Sequence, residues 1–417
     1  MIEVELGDDH ADITRHDTFV AGVPYATFDR LRREDPVSWW DEEEGRGFWA
    51  LTRYQDVIAA SRQPEIFSSA RGIRLEDMDD EETEARRTLM EMDPPAHTRY
   101  RRLVSRAFTR KSVLAYEDAI RALARRIVDE VHGTPELDFT DLVARQLPMR
   151  MLGRLLGLPE EDSDWLVKRG DALIANSDPD FTDYVVDQVD TSAYRLLPFR
   201  SPVAVELMGY GREAFEARRR HPSEDLLSAL LAPMPDGEHL SDAELANFFT
   251  LLVAAGNDTT RYSMAASMKA LVERPAAREA LAAEPARLER AVEEMLRWAS
   301  VTMHFRRTAT RDTELGGRQI RAGDKVLLWF VAANYDPEQF ADPYHFDPDR
   351  HPNDHVTFGL KSPHLCLGAH LARMELRVLY EELLPRIESV SLAGPPERLR
   401  SNFIAGIKRL PLEISWR

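Results

Sequence analysis

Apolar residues recur at helical spacing along most of this 417-residue chain, and short alternating stretches are few. This periodicity predicts helices over 97–132, 139–157, 202–220, 242–273, 275–299 and 367–386. Residues 313–333 instead have a strand pattern around a Gly316-Gly317 turn, and a further short strand region is expected near 407–415. The stretch 342–354, rich in Pro, Asp and His, favours an irregular connection. The pattern predicts a mainly α fold with a small β portion.

Charge and cysteine usage narrow the classes of function. The chain carries 54 basic and 72 acidic side chains, a net charge of −18, which argues against nucleic acid as a partner. The polar, acidic N-terminus predicts neither a signal peptide nor a membrane anchor, and no apolar run approaches the ~20 residues that span a bilayer. A single cysteine fits a reducing compartment. We expect a cytoplasmic monomer.

The single cysteine, Cys366, ends the segment Phe358-Gly-Leu-Lys-Ser-Pro-His-Leu-Cys, just before a predicted helix. Free backbone N–H groups and the positive end of the dipole at a helix N-terminus favour a thiolate, which serves as a nucleophile or a metal ligand. Two other interpretations stay open on this segment alone. One is a buried structural cysteine, and the other is a small zinc or non-haem iron site with His364 and His370.

The segment Asn247-Phe-Phe-Thr-Leu-Leu-Val-Ala-Ala-Gly-Asn-Asp-Thr-Thr260 turns from apolar to polar in the middle of a predicted helix. Its apolar half predicts burial on several faces. A glycine costs about 1 kcal/mol within a helix, and a buried carboxylate needs a partner. Either the helix ends at Gly256, or it continues, bent, with Asp258 and Thr259 at a buried site. The helical pattern resumes through Met264, which favours the second interpretation.

Two weaker motifs flank these segments. Glu294 and Arg297 share one helix face in Glu-Met-Leu-Arg, for which a solvated ion pair is the default interpretation. His97 and Arg101 lie one turn apart in a segment that Pro94-Pro95 opens, where an exposed basic helix is the default.

Taken together, these segments resemble the cytochrome P450 family, in order and spacing, over roughly residues 20–415. The Cys366 segment is similar to the haem-binding loop, in which the cysteine is the axial ligand of haem iron, and Phe358, His364 and Gly368 match it. The loop is one residue longer than the commonest form, and Ser362 stands where the family usually has glycine.

The resemblance implies roles for the other motifs. Asp258 and Thr259 match the oxygen-activation motif, in which the acid feeds protons from solvent and the alcohol hydrogen-bonds dioxygen. A structural network that anchors the cysteine loop is implied for Glu294, Arg297 and Arg350, and propionate binding for His97, Arg101, Arg307 and His364. The implied cofactor-binding residues are His97, Arg101, Arg307, His364, Cys366, Gly368, Ala255 and Phe358.

The resemblance also implies one P450 domain over residues 1–417, triangular and mainly helical, around a buried haem b (iron protoporphyrin IX). The implied reaction inserts one atom of O2 into a hydrophobic molecule, with electrons from NAD(P)H through separate ferredoxin reductase and ferredoxin chains. Several segments are similar to bacterial members that oxidise steroids, terpenoids, branched lipids or alkanes. The substrate pocket is expected to include Ala254, Ala255, Met303, Phe305 and Ile404.

Alternatives within the same fold are a peroxide-driven peroxygenase and a haem-based binding or sensing protein without turnover. The retention of both Asp258 and Thr259 argues against the peroxygenase. The basic stretch from Arg99 to Lys111 contrasts with the acidic chain, and we expect an acidic ferredoxin to dock there.

Overall fold

The computed structural model describes residues 6–43, 45–234, 236–359 and 361–417. The helices are α1 Tyr25–Glu34, α2 Tyr54–Ser61, α3 Asp80–Ala85, α4 Ala96–Ser105, α5 Arg110–Leu114, α6 Glu117–Val131, α7 Gln146–Leu156, α8 Ser163–Ile174, α9 Val203–Arg220, α10 Leu226–Leu230, α11 Asp242–Val272, α12 Pro275–Ala283, α13 Leu288–Ala299, α14 Phe330–Ala333 and α15 Ala369–Leu383. The strands are β1 Val37–Trp40, β2 Phe48–Leu51, β3 Phe67–Ser68, β4 Glu136–Asp138, β5 His304–Ala309, β6 Thr313–Leu315, β7 Arg318–Ile320, β8 Lys325–Trp329, β9 Ile387–Leu392, β10 Glu397–Arg398, β11 Ile407–Arg409 and β12 Pro411–Trp416.

The helical predictions differ from the structure mainly where helices are interrupted. The predicted helix over 97–132 is divided, because Thr109 adopts an extended backbone and caps α5 by accepting a hydrogen bond from the Ser112 N–H. The predicted helix over 275–299 breaks at Glu284, since the residue before a proline is disfavoured in the α conformation. The sequence pattern missed α1, α2, α3, α8 and α10.

The main sheet has the strand order β1-β2-β8-β5-β3. The Gly316-Gly317 turn between β6 and β7 and the strand β8 agree with prediction, whereas the end of the predicted strand stretch, 330–333, is helix α14. Strand β5 was not predicted, because its residues include the buried cations Arg306 and Arg307, which hide the apolar strand pattern. The stretch 342–354 contains neither helix nor strand, as predicted.

Helix α11 runs without interruption from Asp242 to Val272 and packs against α7, α8, α9 and α13. The interpretation in which this helix ends at Gly256 is therefore wrong. Gly256 lies where α11 approaches α7 closely, because a Cβ built there would be 3.1 Å from Cδ2 of Leu152. Within the described part of the chain, none of the helices, α11 included, combines the length and the apolar character that crossing a bilayer requires.

A buried ion network on α13 fixes the connection that leads to the Cys366 loop. Glu294 and Arg297, both fully buried, form a two-point ion pair with N–O distances of 2.7 and 2.8 Å. Arg350 Nε also reaches Glu294, at 3.1 Å, and Arg297 donates to the carbonyls of Asn334 and Pro343. The structure thus brings together the three residues of the expected network.

We expect Arg297→Leu to lower the free energy of unfolding by about 3–5 kcal/mol, because it leaves a buried carboxylate without its main partner. Urea unfolding of the cofactor-bound protein measures this change. Arg287→Leu is the matched control, since Arg287 pairs with Asp349 at the surface, where an ion pair contributes little. Equal losses in the two variants would contradict the structural importance of the Glu294 network.

Candidate active site

Helix α11, strand β5, the Cys366 loop and the start of α15 surround one internal cavity. A second cavity shares Thr259, Ala255 and Phe305 with it, so the two adjoin. Residues that line the first are His97, Arg101, Leu152, Phe248, Leu252, Ala255, Thr259, Thr260, Leu296, Phe305, Arg307, Phe358, His364, Cys366, Gly368, Leu371 and Glu375. The walls are mainly apolar, and the charged groups come from α4, β5, α15 and the cysteine loop.

The Cys366 loop is folded by its own backbone. The Cys366 N–H donates to the Phe358 carbonyl at 2.9 Å, and the backbone is left-handed at Gly359 and at Lys361, with φ of 72° and 61°. Ser362 is not left-handed, and its hydroxyl accepts a hydrogen bond from the His364 N–H at 3.1 Å. Serine therefore replaces the glycine of the commoner loop without backbone strain at that position.

The Cys366 side chain is exposed to the cavity, although the surrounding protein screens it from bulk water. This burial raises the pKa of the thiol, while the N–H groups of Gly368 and Ala369 and the Arg101 cation act in the opposite direction. The expected thiolate stabilisation by the helix N-terminus is present but does not outweigh burial. A bound metal ion would deprotonate such a thiol outright, which fits a role for Cys366 as a metal ligand.

A small metal site with His364, Cys366 and His370 does not form. His370 is exposed on α15, while the His364 ring packs against His97 with centroids 4.2 Å apart. The described residues hold no group of three or more His, Cys, Asp or Glu side chains that could bind a metal ion. This interpretation of the sequence is therefore wrong.

Positively charged or chargeable groups gather at one edge of the cavity. Both ring nitrogens of buried His97 lack a hydrogen-bond partner within the described ranges. Arg307 donates to the Arg306 carbonyl at 2.8 Å and has no ion pair there. Burial lowers the pKa of His97 to about 4, of His364 to about 2 and of Arg307 to about 10.

Buried cationic donors without carboxylate partners provide a site for anionic groups. Arg101 completes the cluster and donates to the Leu365 carbonyl, next to Cys366. The two propionates of a haem, with the apolar macrocycle between α11 and the Cys366 loop, would satisfy both the orphan donors and the apolar walls. The residues present therefore fit haem b.

Thr259 and Asp258 face different surroundings. Thr259 lines the cavity, and its hydroxyl donates to the Ala255 carbonyl at 2.9 Å. Asp258 is fully buried away from the lining, where Oδ1 accepts from Asn257 and Arg261 at 3.0 Å and Oδ2 has no partner in the described ranges. Burial raises the pKa of Asp258 well above its ordinary value, and the Arg261 charge opposes this shift.

Asp258 is connected to the surface through ion pairs. Arg261 also contacts Asp171 of α8 at 2.7 Å, and Asp171 in turn pairs with Arg145 at 2.8 Å. Arg145 reaches Asp141, which is exposed. The carboxyl group beside Thr259 is thus the inner end of a charged chain that begins at solvent.

Four of the five residues expected in the substrate pocket lie along one cavity. Ala254, Ala255, Phe305 and Ile404 line the second cavity. Met303 does not line either cavity, which corrects the sequence expectation. Its side chain is fully buried in an apolar cluster that includes Trp329, because Met303 turns to the other side of its chain segment from Thr302, which lines both cavities.

Sequence reasoning did not single out two charged residues of these cavities. Glu375 is buried, its Oε1 has no partner within the described ranges, and burial raises its pKa to about 8. In the sequence, Glu375 lies four residues after Leu371 and three before Val378, so it falls on the apolar face of α15. A carboxyl group at such a position indicates a buried charge and could have been noticed. Arg74 lines the second cavity, and no local pattern distinguished it within the acidic stretch 71–92.

Comparison with known proteins agrees with this geometry. A family model described as Cytochrome P450 matches residues 174–414. The chain is 39% identical to a methyl-branched lipid omega-hydroxylase of Mycobacterium tuberculosis, over 99% of this chain and 95% of that protein. It is 34% identical to a steroid C26-monooxygenase of the same organism, over 97% and 93%.

A solved structure with a similar fold comes from the same family. The structure of the Mycobacterium marinum cytochrome P450 CYP268A2, in complex with pseudoionone, superposes with a TM-score of 0.84 at 39% identity and covers 93% of this chain and 94% of its own. The family model, the sequence identity over nearly the whole chain and the similar fold lead to the same family. The site agrees with it, because a cysteine faces an apolar cavity whose edge carries cationic donors without carboxylate partners in the described ranges. The chain belongs to the cytochrome P450 family of haem-thiolate oxidoreductases.

Proposed function

We propose that this protein is a haem-thiolate monooxygenase that hydroxylates a branched hydrophobic molecule, either a methyl-branched lipid or a steroid. The observation that carries the proposal is one apolar cavity that Cys366 and Thr259 enter from different elements, edged by donors that have no carboxylate partner among the described residues. Relatives named as a lipid omega-hydroxylase and a steroid C26-monooxygenase support the substrate class.

Haem b, when bound, supplies the activation of O2, and the residues of this chain hold it and control its surroundings. Cys366 would hold the haem iron, and its thiolate would supply electron density to the metal. Propionate binding falls to His97, Arg101, Arg307 and His364, whose donors otherwise lack anionic partners. The apolar side chains of Leu252, Phe305 and Phe358 exclude water from the same space.

Proton control falls to Thr259 and Asp258. The Thr259 hydroxyl can exchange its bond to the Ala255 carbonyl for a bond to a molecule in the cavity. Asp258, with a raised pKa and one free carboxylate oxygen, can hold a proton and release it. The ion pairs through Arg261, Asp171 and Arg145 hold Asp258 in place on the side that leads to exposed Asp141, from which a proton would reach it.

An acidic ferredoxin is the proposed electron donor, with a separate NAD(P)H-dependent reductase. The exposed side chains Arg102, Arg106, Arg110 and Lys111 have no ion pair within the described ranges, and α5 packs against α15. Burial lowers the pKa of His370, four residues beyond Cys366, and the nearby charges of Arg373 and Arg110 act in the same direction. This basic patch is therefore adjacent to the thiolate side of the cavity, where an acidic partner would be steered by charge.

Cys366→Ser should remove the thiolate signature from the absorption spectrum of the reduced, CO-bound protein while leaving most of the fold, as judged by circular dichroism. The reason is that a serine hydroxyl does not replace the thiolate donor. The wild-type protein should also show a saturable low-spin to high-spin Soret shift with a methyl-branched lipid or a steroid. A wild-type spectrum without a thiolate signature would overturn the proposed function.

Thr259→Ala should keep NAD(P)H consumption but divert electrons to hydrogen peroxide, so that product formed per NAD(P)H falls by roughly tenfold or more, in line with the loss of a proton-delivery group. Thr259→Ser retains the hydroxyl and is the matched control. Coupling equal to wild type in Thr259→Ala would contradict the role of the hydroxyl. Peroxide-driven turnover that exceeds turnover with O2 in the wild type would favour a peroxygenase instead.

Arg106→Glu should slow reduction by an acidic ferredoxin and flatten the dependence of the rate on salt, because charge steering is lost. Stopped-flow reduction of the ferric protein in the presence of CO, followed by formation of the CO complex at low and high salt, measures both effects. Arg212→Glu, an exposed position on α9, makes the same change in net charge away from the patch. Equal rates for wild type and Arg106→Glu at low salt would exclude this surface as the docking site.

A further inference from the structure

Arg74 is a cation inside the proposed substrate pocket. Its guanidinium carbon lies 4.8 Å from the ring centroid of Phe199 and 4.8 Å from that of Phe403, so the group is held between two aromatic side chains. It lines the same cavity as Ala254 and Thr259. The rings hold the guanidinium in place and offer it only the weak attraction of aromatic faces.

No carboxylate of the described ranges forms an ion pair with this cation, although the charges of Glu76 and Glu91 act on it from a greater distance. Arg74 has neither an ion pair nor a side-chain hydrogen bond with any residue there, whereas other charged groups of the cavity wall are already paired. Glu76 forms its ion pair with Arg86, and Glu91 accepts hydrogen bonds from the backbone and hydroxyl of Thr88.

Arg74 is therefore the cation of this wall that no carboxylate of the described ranges contacts directly. Burial raises the pKa of Glu91, and Glu76 already forms an ion pair with Arg86. Burial lowers the pKa of Arg74 to about 10, so the side chain still carries its charge at neutral pH. A partly desolvated cation without a counter-charge is costly unless an anion is bound next to it.

We propose that Arg74 anchors the carboxylate of an acidic substrate, so that the enzyme acts on a branched-chain fatty acid or a steroid acid and not on the neutral alcohol or hydrocarbon. This inference rests on the proposed monooxygenase function and specifies its substrate. A guanidinium binds a carboxylate through two parallel hydrogen bonds, which gives orientation as well as affinity.

The anchor also determines which carbon is oxidised. Arg74 lines only the second cavity, whereas Cys366 lines only the first, and Thr259, Ala255 and Phe305 line both. A carboxylate at Arg74 leaves the hydrocarbon to extend past Thr259 toward the Cys366 side. Oxidation is then directed to carbons remote from the acid group. One oxygen atom of O2 is inserted into a C–H bond, and the other leaves as water with two protons and the two electrons that NAD(P)H supplies through the ferredoxin.

The test compares acids with their alcohols on the haem-bound protein. Isopalmitic acid is paired with isopalmityl alcohol, and lithocholic acid with the alcohol made by reducing its carboxyl group. Soret spin-shift titrations give the affinities. In wild type we expect at least one acid to bind about tenfold more tightly than its alcohol, or better, as for a hydrogen bond to a charged group.

Variants identify the anchor. Arg74→Gln should abolish the preference for the acid while leaving the affinity for the alcohol unchanged, and Arg74→Lys should retain part of it. Arg71→Gln is the matched control, because Arg71 is exposed and pairs with Asp80 at 3.2 Å. The thiolate spectrum of the CO-bound protein reports the integrity of each variant.

The outcomes separate the two proposals. Equal affinity of wild type for acid and alcohol overturns the anchor and leaves the monooxygenase in place, and this result needs no variant. Retention of the acid preference in Arg74→Gln also overturns Arg74 as the anchor. A wild-type protein whose Soret band neither pair shifts overturns the lipid or steroid substrate class, and the anchor with it.

Discussion

The ion network around Glu294 is the constraint on which the site depends. One carboxylate holds Arg297 of the same helix and Arg350, which lies in the irregular connection before the Cys366 loop. The backbone N–H of Asp347 and the side chain of Asn353 bind the same carboxylate. A segment without helix or strand is thereby fixed by buried charge, and the loop that follows it begins from a defined position.

The opposite condition applies beside Cys366, where His97, Arg101 and Arg307 have no carboxylate partner in the described ranges. The pKa shifts of Cys366, His97 and Arg307 have the same largest cause, which is loss of contact with water. At Glu294, ion pairs offset the free-energy cost of removing the charge from water. In the cavity, that cost is offset only when a molecule with the opposite charge binds. This contrast distinguishes structural charges from functional ones more clearly than residue type does.

The sequence predicted features that depend on local spacing. The continuous apolar periodicity gave helix α11 nearly to its ends, and the Glu294–Arg297 and His97–Arg101 spacings placed each pair on one helix face. Features that depend on tertiary burial could not be predicted. Strand β5 was concealed by its own cations. The surroundings of Arg74 were also hidden, because the two phenylalanines that enclose it lie more than a hundred residues away in the sequence.

Helix α4 has two functional faces. His97 is buried toward the cavity and Arg101 borders it, while Arg102, only one residue further on, is exposed on the basic patch. An α-helix is only about 10–12 Å across with its side chains, so a protein docked on one face would be separated from the cofactor edge by a single helix. Electron transfer between the two would then cross one layer of protein. During evolution, the choice of electron donor could change through the outward residues alone, while the inward face stayed fixed by the cofactor.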